Sequence, residues 1–227
     1  MRTIVVGDIH GCYNELKELI VELKTKKEYN KDTDRLIFIG DYIDRGRDSD
    51  KVIKYIRELQ RDNDKVIALK GNHEDMCVNY YKYREDNWKY NGGNATIKSF
   101  HGHKQLMQNL TWMENLPLYY EDDYFVYVHA GIDVDKPLDK QSNYDLLWVR
   151  ESFIYNPKKF NKRVVFGHTP TQSLTGKDKP CFTYTDNIAI DTGCVYGGKL
   201  TALIIEDDKV KKFFQVSNGN QNDIKIM

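Results

Sequence analysis

Short apolar runs, each followed closely by a glycine, alternate with helical patterns over the first third of the chain. The runs are residues 3–6, 36–39 and 66–69. Short apolar stretches of this kind are typical of strands buried on both faces. Residues 14–27 and 52–59, which separate the runs, carry apolar side chains on one face of a helix. Strands that alternate with helices pair in parallel, so the pattern predicts an α/β fold.

The second half of the chain has a different pattern. Residues 75–117 are polar and rich in aromatic side chains, and we interpret them as a small helical cap inserted into the fold. Further strands are predicted at residues 124–128, 164–166, 181–185, 188–190, 200–206 and 210–216. No linker rich in Pro, Gly or Ser divides the chain, so we expect a single domain over residues 1–216, followed by a polar tail at 217–227.

The composition excludes several classes of protein. Hydrophobic residues make up 40% of the chain, and 34 basic residues balance 34 acidic ones, so global disorder is excluded. A net charge of zero provides no basic track for a long nucleic acid and no attraction to an anionic membrane. No apolar run approaches the ~18 residues of a membrane span. We therefore expect a soluble, cytoplasmic protein whose four scattered cysteines are reduced thiols.

Polar side chains follow five of the predicted strands, at the point where each strand ends. The segments read Gly-Asp-Ile-His-Gly, Gly-Asp-Tyr-Ile-Asp-Arg-Gly, Gly-Asn-His-Glu, His-Ala-Gly and Gly-His-Thr, and they occupy residues 7–11, 40–46, 71–74, 129–131 and 167–169. One such segment alone is weak evidence, because an Asp there often caps the next helix. Five together indicate a site at the carboxyl ends of the strands.

Six of these side chains offer oxygen or nitrogen donors suited to divalent metal ions. They are Asp8, His10, Asp41, Asn72, His129 and His168. Six donors are too many for one ion with an open position, so we expect two ions that share one carboxylate. The two ions carry four positive charges and two Asp side chains return two negative ones, which leaves a site attractive to phosphate. Bound water also becomes acidic, with a pKa of about 7.

Four further residues are candidates for substrate binding and proton transfer. Arg45 and Arg150 can offer planar guanidinium groups to phosphate oxygens. His73 follows a predicted ligand and, oriented by Asp44, can act as a general acid. His101 and His103 lie in the polar middle segment without comparable neighbours, and we expect them to be solvated.

The five segments resemble the signature motifs of the phosphoprotein phosphatase branch of the calcineurin-like metallophosphoesterases, most closely its compact bacterial and phage members. This resemblance implies an αββα sandwich with two mixed sheets and a dinuclear centre. Manganese is the usual metal, and iron, zinc, nickel and cobalt are alternatives. It implies that Asp8, His10 and Asp41 hold one ion. The other ion is held by Asp41, Asn72, His129 and His168. The chain lacks long extensions, so no dedicated regulatory subunit is implied.

The resemblance also implies a reaction. Arg45, Arg150 and Asn72 bind the phosphate, metal-bound hydroxide attacks phosphorus directly, and His73, paired with Asp44, protonates the leaving oxygen. We expect phosphomonoesters on Ser or Thr of proteins, and also Tyr, as substrates. The alternative is a phosphorylated small molecule, diadenosine tetraphosphate, cleaved symmetrically to two ADP.

The other readings are weaker, and one segment leaves two roles open. A binding module would not need the general acid, and a nuclease would need a basic track. The aromatic side chains in residues 88–100 either stack on adenine or pack the cap.

Overall fold

Two five-stranded sheets form the centre of the molecule in this computed structural model, which describes residues 2–219. The strands, in chain order, are β1 (Arg2–Val6), β2 (Arg35–Phe38), β3 (Val66–Ala68), β4 (Tyr119–Glu121), β5 (Phe125–Val128), β6 (Arg163–Phe166), β7 (Cys181–Phe182), β8 (Ile188–Ala189), β9 (Lys199–Glu206) and β10 (Lys209–Ser217). The helices are α1 (Tyr13–Thr25), α2 (Ser49–Asp62), α3 (Asn72–Tyr83), α4 (Asn94–Ser99), α5 (His103–Met107), α6 (Leu110–Glu114), α7 (Asn143–Leu147), α8 (Glu151–Ile154) and α9 (Thr171–Thr175).

Both sheets are mixed. The first has the order β10-β9-β1-β2-β3, in which β1, β2 and β3 are parallel and β9 and β10 run antiparallel. The second has the order β4-β5-β6-β8-β7, with a parallel centre formed by β5, β6 and β8. The parallel centres bring the carboxyl ends of six strands to one side of the molecule, which is where ligands bind in open α/β sheets.

Three apolar clusters define the layers. One lies between the sheets and joins Val5, Ile37 and Leu203 of the first sheet to Tyr127 and Val165 of the second. A second cluster packs α1 and α2 against the outer face of the first sheet. A third packs α7 and α8 against the outer face of the second sheet. The order of layers is therefore helix, sheet, sheet, helix, and the predicted αββα sandwich is confirmed.

The segment predicted as a cap is helical and belongs to the outer layer of the first sheet. Its side chains Trp88, Leu106 and Met113 are fully buried in the same cluster as α1 and α2. Between α3 and α4 the chain forms a short π-helical turn over Lys89–Gly93. Because the segment shares the core of the first sheet, it reaches the end of β2 from the outside.

Several local predictions differ from the structure. Strand β4 was not predicted; its side chains are only half-buried or exposed, so they carry no buried-strand pattern. The strand predicted over residues 181–185 ends at Phe182, because Asp186 adopts a positive φ of 66° in the turn that leads into β8.

The described end of the chain also departs from the predicted tail. Ser217 still belongs to β10, and the buried Asn218 donates its side-chain amide to Cys194 O at 2.9 Å. The polar tail therefore cannot begin at residue 217, and residues 220–227 lie outside the described part of the chain. All four cysteines are free thiols, as expected.

Candidate dinuclear metal and phosphate site

The carboxylate of Asp41, directly after β2, lies at the centre of the predicted cluster. Its Oδ2 is 3.3 Å from His10 Nε2, and its Oδ1 is 3.4 Å from His129 Nε2. The backbone N–H of His73 donates to Oδ1 at 3.1 Å. Asp41 is 2% exposed. One carboxylate thus faces imidazoles from both sheets, the position that a ligand bridging two ions would occupy.

Asn72, at the beginning of α3, joins the two histidines contributed by the second sheet. Its Oδ1 lies 2.8 Å from His129 Nε2 and 3.0 Å from His168 Nδ1. His129 Nδ1 lies 2.9 Å from Ile39 O. Because a carbonyl oxygen only accepts, Nδ1 carries the proton and donates it. The lone pair of His129 Nε2 therefore faces the amide oxygen and Asp41. Several acceptors converge here, and a cation between them would relieve their repulsion.

Asp8 follows β1 and completes the cluster. Its Oδ2 accepts the backbone N–H of His168 at 3.0 Å. Over residues 2–219, two buried side-chain atoms have no hydrogen-bond partner, and they are Asp8 Oδ1 and His168 Nε2. Buried polar atoms are rarely left unsatisfied. Both orphaned atoms belong to predicted metal ligands, so the donor set fits the divalent ions that the sequence predicts.

Burial and mutual charge prepare these groups to bind metal. Burial, followed by the Arg45 guanidinium, lowers the pKa of His10 to about 4. Burial, followed by His129 and Arg150, lowers the pKa of His168 to about 2. Both imidazoles are therefore neutral at pH 7, which is the form that binds a metal.

The pKa values of the two carboxylates, Asp8 and Asp41, shift in opposite directions. Burial, followed by Asp191 and Asp41, raises the pKa of Asp8 well above its usual value. Burial also acts to raise the pKa of Asp41, but His129 and the other neighbouring imidazoles hold it well below its usual value. The carboxylate at the centre of the cluster is thus the one that stays ionised most readily.

The backbone is strained where it presents the site. Among the described residues, ten other than glycine have a positive φ, and five of them are predicted site residues: His10 (46°), Asp41 (53°), Asp44 (75°), Arg45 (67°) and His168 (62°). Left-handed backbone in such residues costs about 1–3 kcal/mol each and persists only where other contacts enforce it. The chain turns abruptly at these positions after β1, β2 and β6, which directs the side chains into one cleft.

Glu74 stabilises the strained loop that carries Asp41 by binding its backbone N–H groups. Its Oε2 accepts the backbone N–H groups of Gly71 and Asp41, both at 2.9 Å. Its Oε1 accepts those of Tyr42 at 2.8 Å and Ile43 at 3.3 Å. Burial, followed by the charge of Asp41, acts to raise the pKa of this carboxyl, and the backbone N–H groups of Tyr42 and Gly71, which bind the ionised form, oppose that effect. The sequence showed Glu74 within a motif but gave it no role.

His73 and Asp44 form a buried pair beside the cluster. His73 Nδ1 lies 2.6 Å from Asp44 Oδ2. The Nε2 of His73 lies 3.9 Å from Asp41 Oδ2, and its ring is packed edge-on against that of His10, with 4.7 Å between the ring centroids. Burial raises the pKa of Asp44, and the hydrogen bond from His73 opposes that effect. The imidazole is oriented through one nitrogen and presents the other to the cleft.

The two predicted arginines lie at the rim. The Arg45 guanidinium donates to His10 Nε2 and lies over the Tyr196 ring, 5.5 Å from its centroid. Arg150 donates to His168 O at 3.0 Å and to Thr169 Oγ1 at 2.9 Å. Both side chains are exposed. Each arginine therefore contacts a predicted metal-ligand residue and reaches the solvent side of the cleft.

Sequence reasoning missed several neighbours of the site. Asp191, buried to 5% exposure, follows β8 just as the predicted donors follow their strands. Burial raises its pKa to about 6. The sequence offered one signal for Asp191, because it follows a predicted strand as the polar residues of the five segments do.

His101 is exposed, as expected. His103 is also exposed, and its Nδ1 forms a hydrogen bond of 2.6 Å with the Tyr81 hydroxyl.

The aromatic side chains of residues 88–100 differ in whether they pack the interior or could stack on an adenine. Trp88 is 0% exposed, with its indole N–H directed at Asp44. Phe100 is also buried, whereas Tyr90 is 89% exposed. Trp88 therefore packs the interior and cannot stack on a nucleobase, while Tyr90 can.

The chain is similar to known proteins in both sequence and fold. The chain is 30% identical to the asymmetrical bis(5'-nucleosyl)-tetraphosphatase PrpE of Halalkalibacterium halodurans, over 89% of each protein. It is 28% identical to serine/threonine-protein phosphatase 1 of Salmonella typhimurium, over 89% of this chain and 91% of that protein. A crystal structure provisionally described as a diadenosine tetraphosphatase has a similar fold, with a TM-score of 0.71 at 22% identity, over 96% of this chain and 94% of that one.

No helix in the described part of the chain has the length and apolar character needed to cross a membrane. The sequence profile of the calcineurin-like phosphoesterases matches residues 1–205. With its sandwich of mixed sheets and its polar strand ends converging on Asp41, this chain belongs to the calcineurin-like phosphoesterase family.

Proposed function

We propose that this phosphoesterase hydrolyses phosphomonoesters on Ser or Thr of proteins, and also on Tyr, with two divalent ions, preferentially Mn²⁺. The observation that carries the proposal is the buried cluster in which His10, His129 and His168 surround Asp41, beside the 2.6 Å His73–Asp44 pair. When bound, the two ions supply positive charge for the phosphate and lower the pKa of coordinated water. Phosphoester hydrolysis itself is the chemistry of the family.

The ligands divide between the two ions according to their neighbours. Asp8 and His10 lie on the first sheet's side of Asp41 and would hold one ion with it. The other ion would be held by Asp41 together with Asn72, His129 and His168. Both histidines lie within hydrogen-bond distance of Asn72 Oδ1, which suits ligands of one ion.

The remaining residues bind the phosphate and supply a proton. Arg45 and Arg150 present exposed guanidinium groups at the rim, and Asn72 adds a side-chain amide. His73 is oriented by Asp44 through Nδ1, so its Nε2 can hold a proton that faces the cleft. That proton goes to the oxygen leaving phosphorus, because alkoxide leaving groups are poor without protonation.

Two observations favour protein substrates. Trp88 is buried, so it offers no surface on which a nucleobase could stack, and the exposed arginines at the rim of the cleft are accessible to a phosphate carried by a protein. The second candidate is a dinucleoside tetraphosphate, which the relative from H. halodurans is named for. The exposed Tyr90 could stack on an adenine in that case. That relative is named as asymmetrical, whereas the sequence resemblance led us to expect two ADP; the products decide between these modes.

One assay separates the candidates. We expect Mn²⁺-dependent turnover of a phosphoserine peptide that a chelator abolishes, and no cleavage of single-stranded DNA. Turnover of diadenosine tetraphosphate alone would transfer the assignment to the second candidate, with two ADP marking symmetrical cleavage and ATP plus AMP asymmetrical cleavage. Activity on all substrates that survives chelation would contradict the metal site.

A variant tests the proton donor. His73→Asn should keep its bound metal, measured by metal analysis, while the rate falls about 10²–10⁴-fold, the range for loss of a general acid. The matched control is His101→Asn, an exposed histidine with positive φ outside the site. Equal rates for the two variants would exclude His73 as the acid.

A further inference from the structure

Residues 84–99, a segment that comprises the link between α3 and α4 together with α4 itself, enclose the carboxylate of Asp44. Trp88 donates its indole N–H to both oxygens of that carboxylate, at 3.0 Å and 2.8 Å. Thr96 donates its hydroxyl to Oδ1 at 2.6 Å. Trp88, Thr96 and Asp44 are each 0% exposed. Since water does not reach this carboxylate, these two side chains and His73 provide its hydrogen bonds.

The donors also fix the rotation of the carboxylate. His73 binds Oδ2, and Thr96 binds Oδ1. Trp88 spans both oxygens from a third direction. Rotation about the Cβ–Cγ bond would break at least two of these contacts within a site that offers no solvent as a replacement. The direction of Oδ2, and with it the orientation of the His73 ring, therefore depends on Trp88 and Thr96.

The same segment satisfies the strained backbone beneath the pair. Asp44 and Arg45 are consecutive residues with positive φ, at 75° and 67°. The N–H of Asp44 donates to Thr96 Oγ1 at 2.8 Å, and that of Arg45 donates to Gly92 O at 3.4 Å. Two successive left-handed residues are unfavourable. Both of their N–H groups are bound by the segment, so it also holds the turn that directs Arg45 to the rim.

Two glycines allow the segment to come this close. A Cβ at Gly92 would lie 2.8 Å from the backbone nitrogen of Arg45, and the φ of Gly92 is +104°. A Cβ at Gly93 would lie 2.6 Å from the indole of Trp88. The segment is therefore built around the residues that the proposed function uses as proton donor and phosphate ligand.

We propose that Trp88 and Thr96 are positioning residues that orient the Asp44–His73 pair for proton delivery to the leaving oxygen. The inference rests on the proposed function, because it assumes that His73 is the general acid. Neither residue touches the substrate. Loss of either should weaken proton delivery and leave metal and substrate binding unchanged.

The test compares two substrates that differ in their need for protonation. In Trp88→Phe and in Thr96→Val, kcat for a phosphoserine peptide should fall about 10–100-fold, a fraction of the full general-acid effect. For p-nitrophenyl phosphate, whose leaving group needs no proton, kcat should change less than about threefold. KM should stay constant for both substrates, and Thr96→Ser should restore activity because it keeps the hydroxyl.

The matched control is Trp112→Phe. Trp112 lies in the same helical layer and donates its indole N–H to Gln60 Oε1 at 3.0 Å, away from Asp44. A structural defect alone would lower kcat for both substrates in all three variants. Equal losses on the two substrates in Trp88→Phe and Thr96→Val, or no loss, would overturn the inference.

A spectroscopic measurement separates the inference from the proposed function. The proton between His73 Nδ1 and Asp44 should give a low-field ¹H NMR signal, assigned by its loss in His73→Asn. We expect this signal to shift or broaden in Trp88→Phe and Thr96→Val and to stay in place in Trp112→Phe. An unchanged signal in the first two variants overturns the positioning role. If His73→Asn affects both substrates equally, the proposed acid fails, while the signal still decides what orients the imidazole.

Discussion

Glu74→Gln tests how the fold presents the central carboxylate. The Glu74 side chain is 0% exposed and accepts four backbone N–H groups, two on each oxygen. Glutamine has nearly the same shape but keeps only one acceptor oxygen. Whichever way the amide turns, two buried N–H groups lose their acceptor and face an NH₂ group instead.

The size of the effect follows from those two groups. An unsatisfied buried polar group costs about 1–3 kcal/mol, so we expect the free energy of unfolding to fall by about 3 kcal/mol after local relaxation. For a chain of this size, 1 kcal/mol corresponds to about 2–4 °C, which predicts a decrease in Tm of about 6–12 °C. Since Asp41 N is one of the bound groups, the affinity for Mn²⁺ should fall as well.

Urea unfolding, monitored by circular dichroism, measures the first effect, and calorimetric titration with Mn²⁺ measures the second. Glu85→Gln is the matched control, because Glu85 is exposed and follows the same helix. The reasoning is refuted if Glu74→Gln and Glu85→Gln unfold at the same urea concentration with equal slopes and bind Mn²⁺ equally. That result would mean that the loop holds Asp41 without this carboxylate.

Three further predictions concern the metal site and the core. In Gly167→Ala the new Cβ would lie 2.0 Å from Asp8 Oδ1, so Mn²⁺ affinity measured by calorimetry should fall about 10–100-fold. The control is Gly219→Ala, where nothing lies within 4 Å of the new Cβ and the affinity should not change. Equal affinities in the two variants would contradict the placement of Asp8. Leu203→Ala, at 1% exposure between the sheets, should lower the free energy of unfolding in urea by about 2–5 kcal/mol, and Val21→Ala, at 52% exposure, by less than about 0.5 kcal/mol. A similar cost at both positions would refute the two-sheet core. Mn²⁺ at about 100 times its Kd should stabilise the fold by about 2.7 kcal/mol and raise Tm by about 5–11 °C, reversibly with a chelator. A Tm indifferent to millimolar Mn²⁺ would refute the fit of the donor cluster to the metal.

The alternation of apolar runs and helical stripes was sufficient to predict the parallel centre of the first sheet. The same local pattern located the polar strand ends, because parallel strands bring their carboxyl ends to one edge wherever the sheet lies. Asp8, Asp41 and Asn72 could therefore be predicted from their positions alone to lie at the same edge of the sheet. The mixed second sheet followed only from the family resemblance, since β7 and β8 have two residues each and β4 has no buried face.

What the sequence determined by itself was the set of candidate donors, since the residue type and its place after a strand are local properties. The tertiary structure alone decided which atoms face one another, including the orphaned Asp8 Oδ1 and His168 Nε2. It also decided the surroundings of Asp44. Trp88 and Thr96 reach that carboxylate across 44 and 52 residues of chain. No periodicity encodes such contacts, because they arise only when the packed helical layer excludes water and leaves a buried charge that needs hydrogen-bond donors.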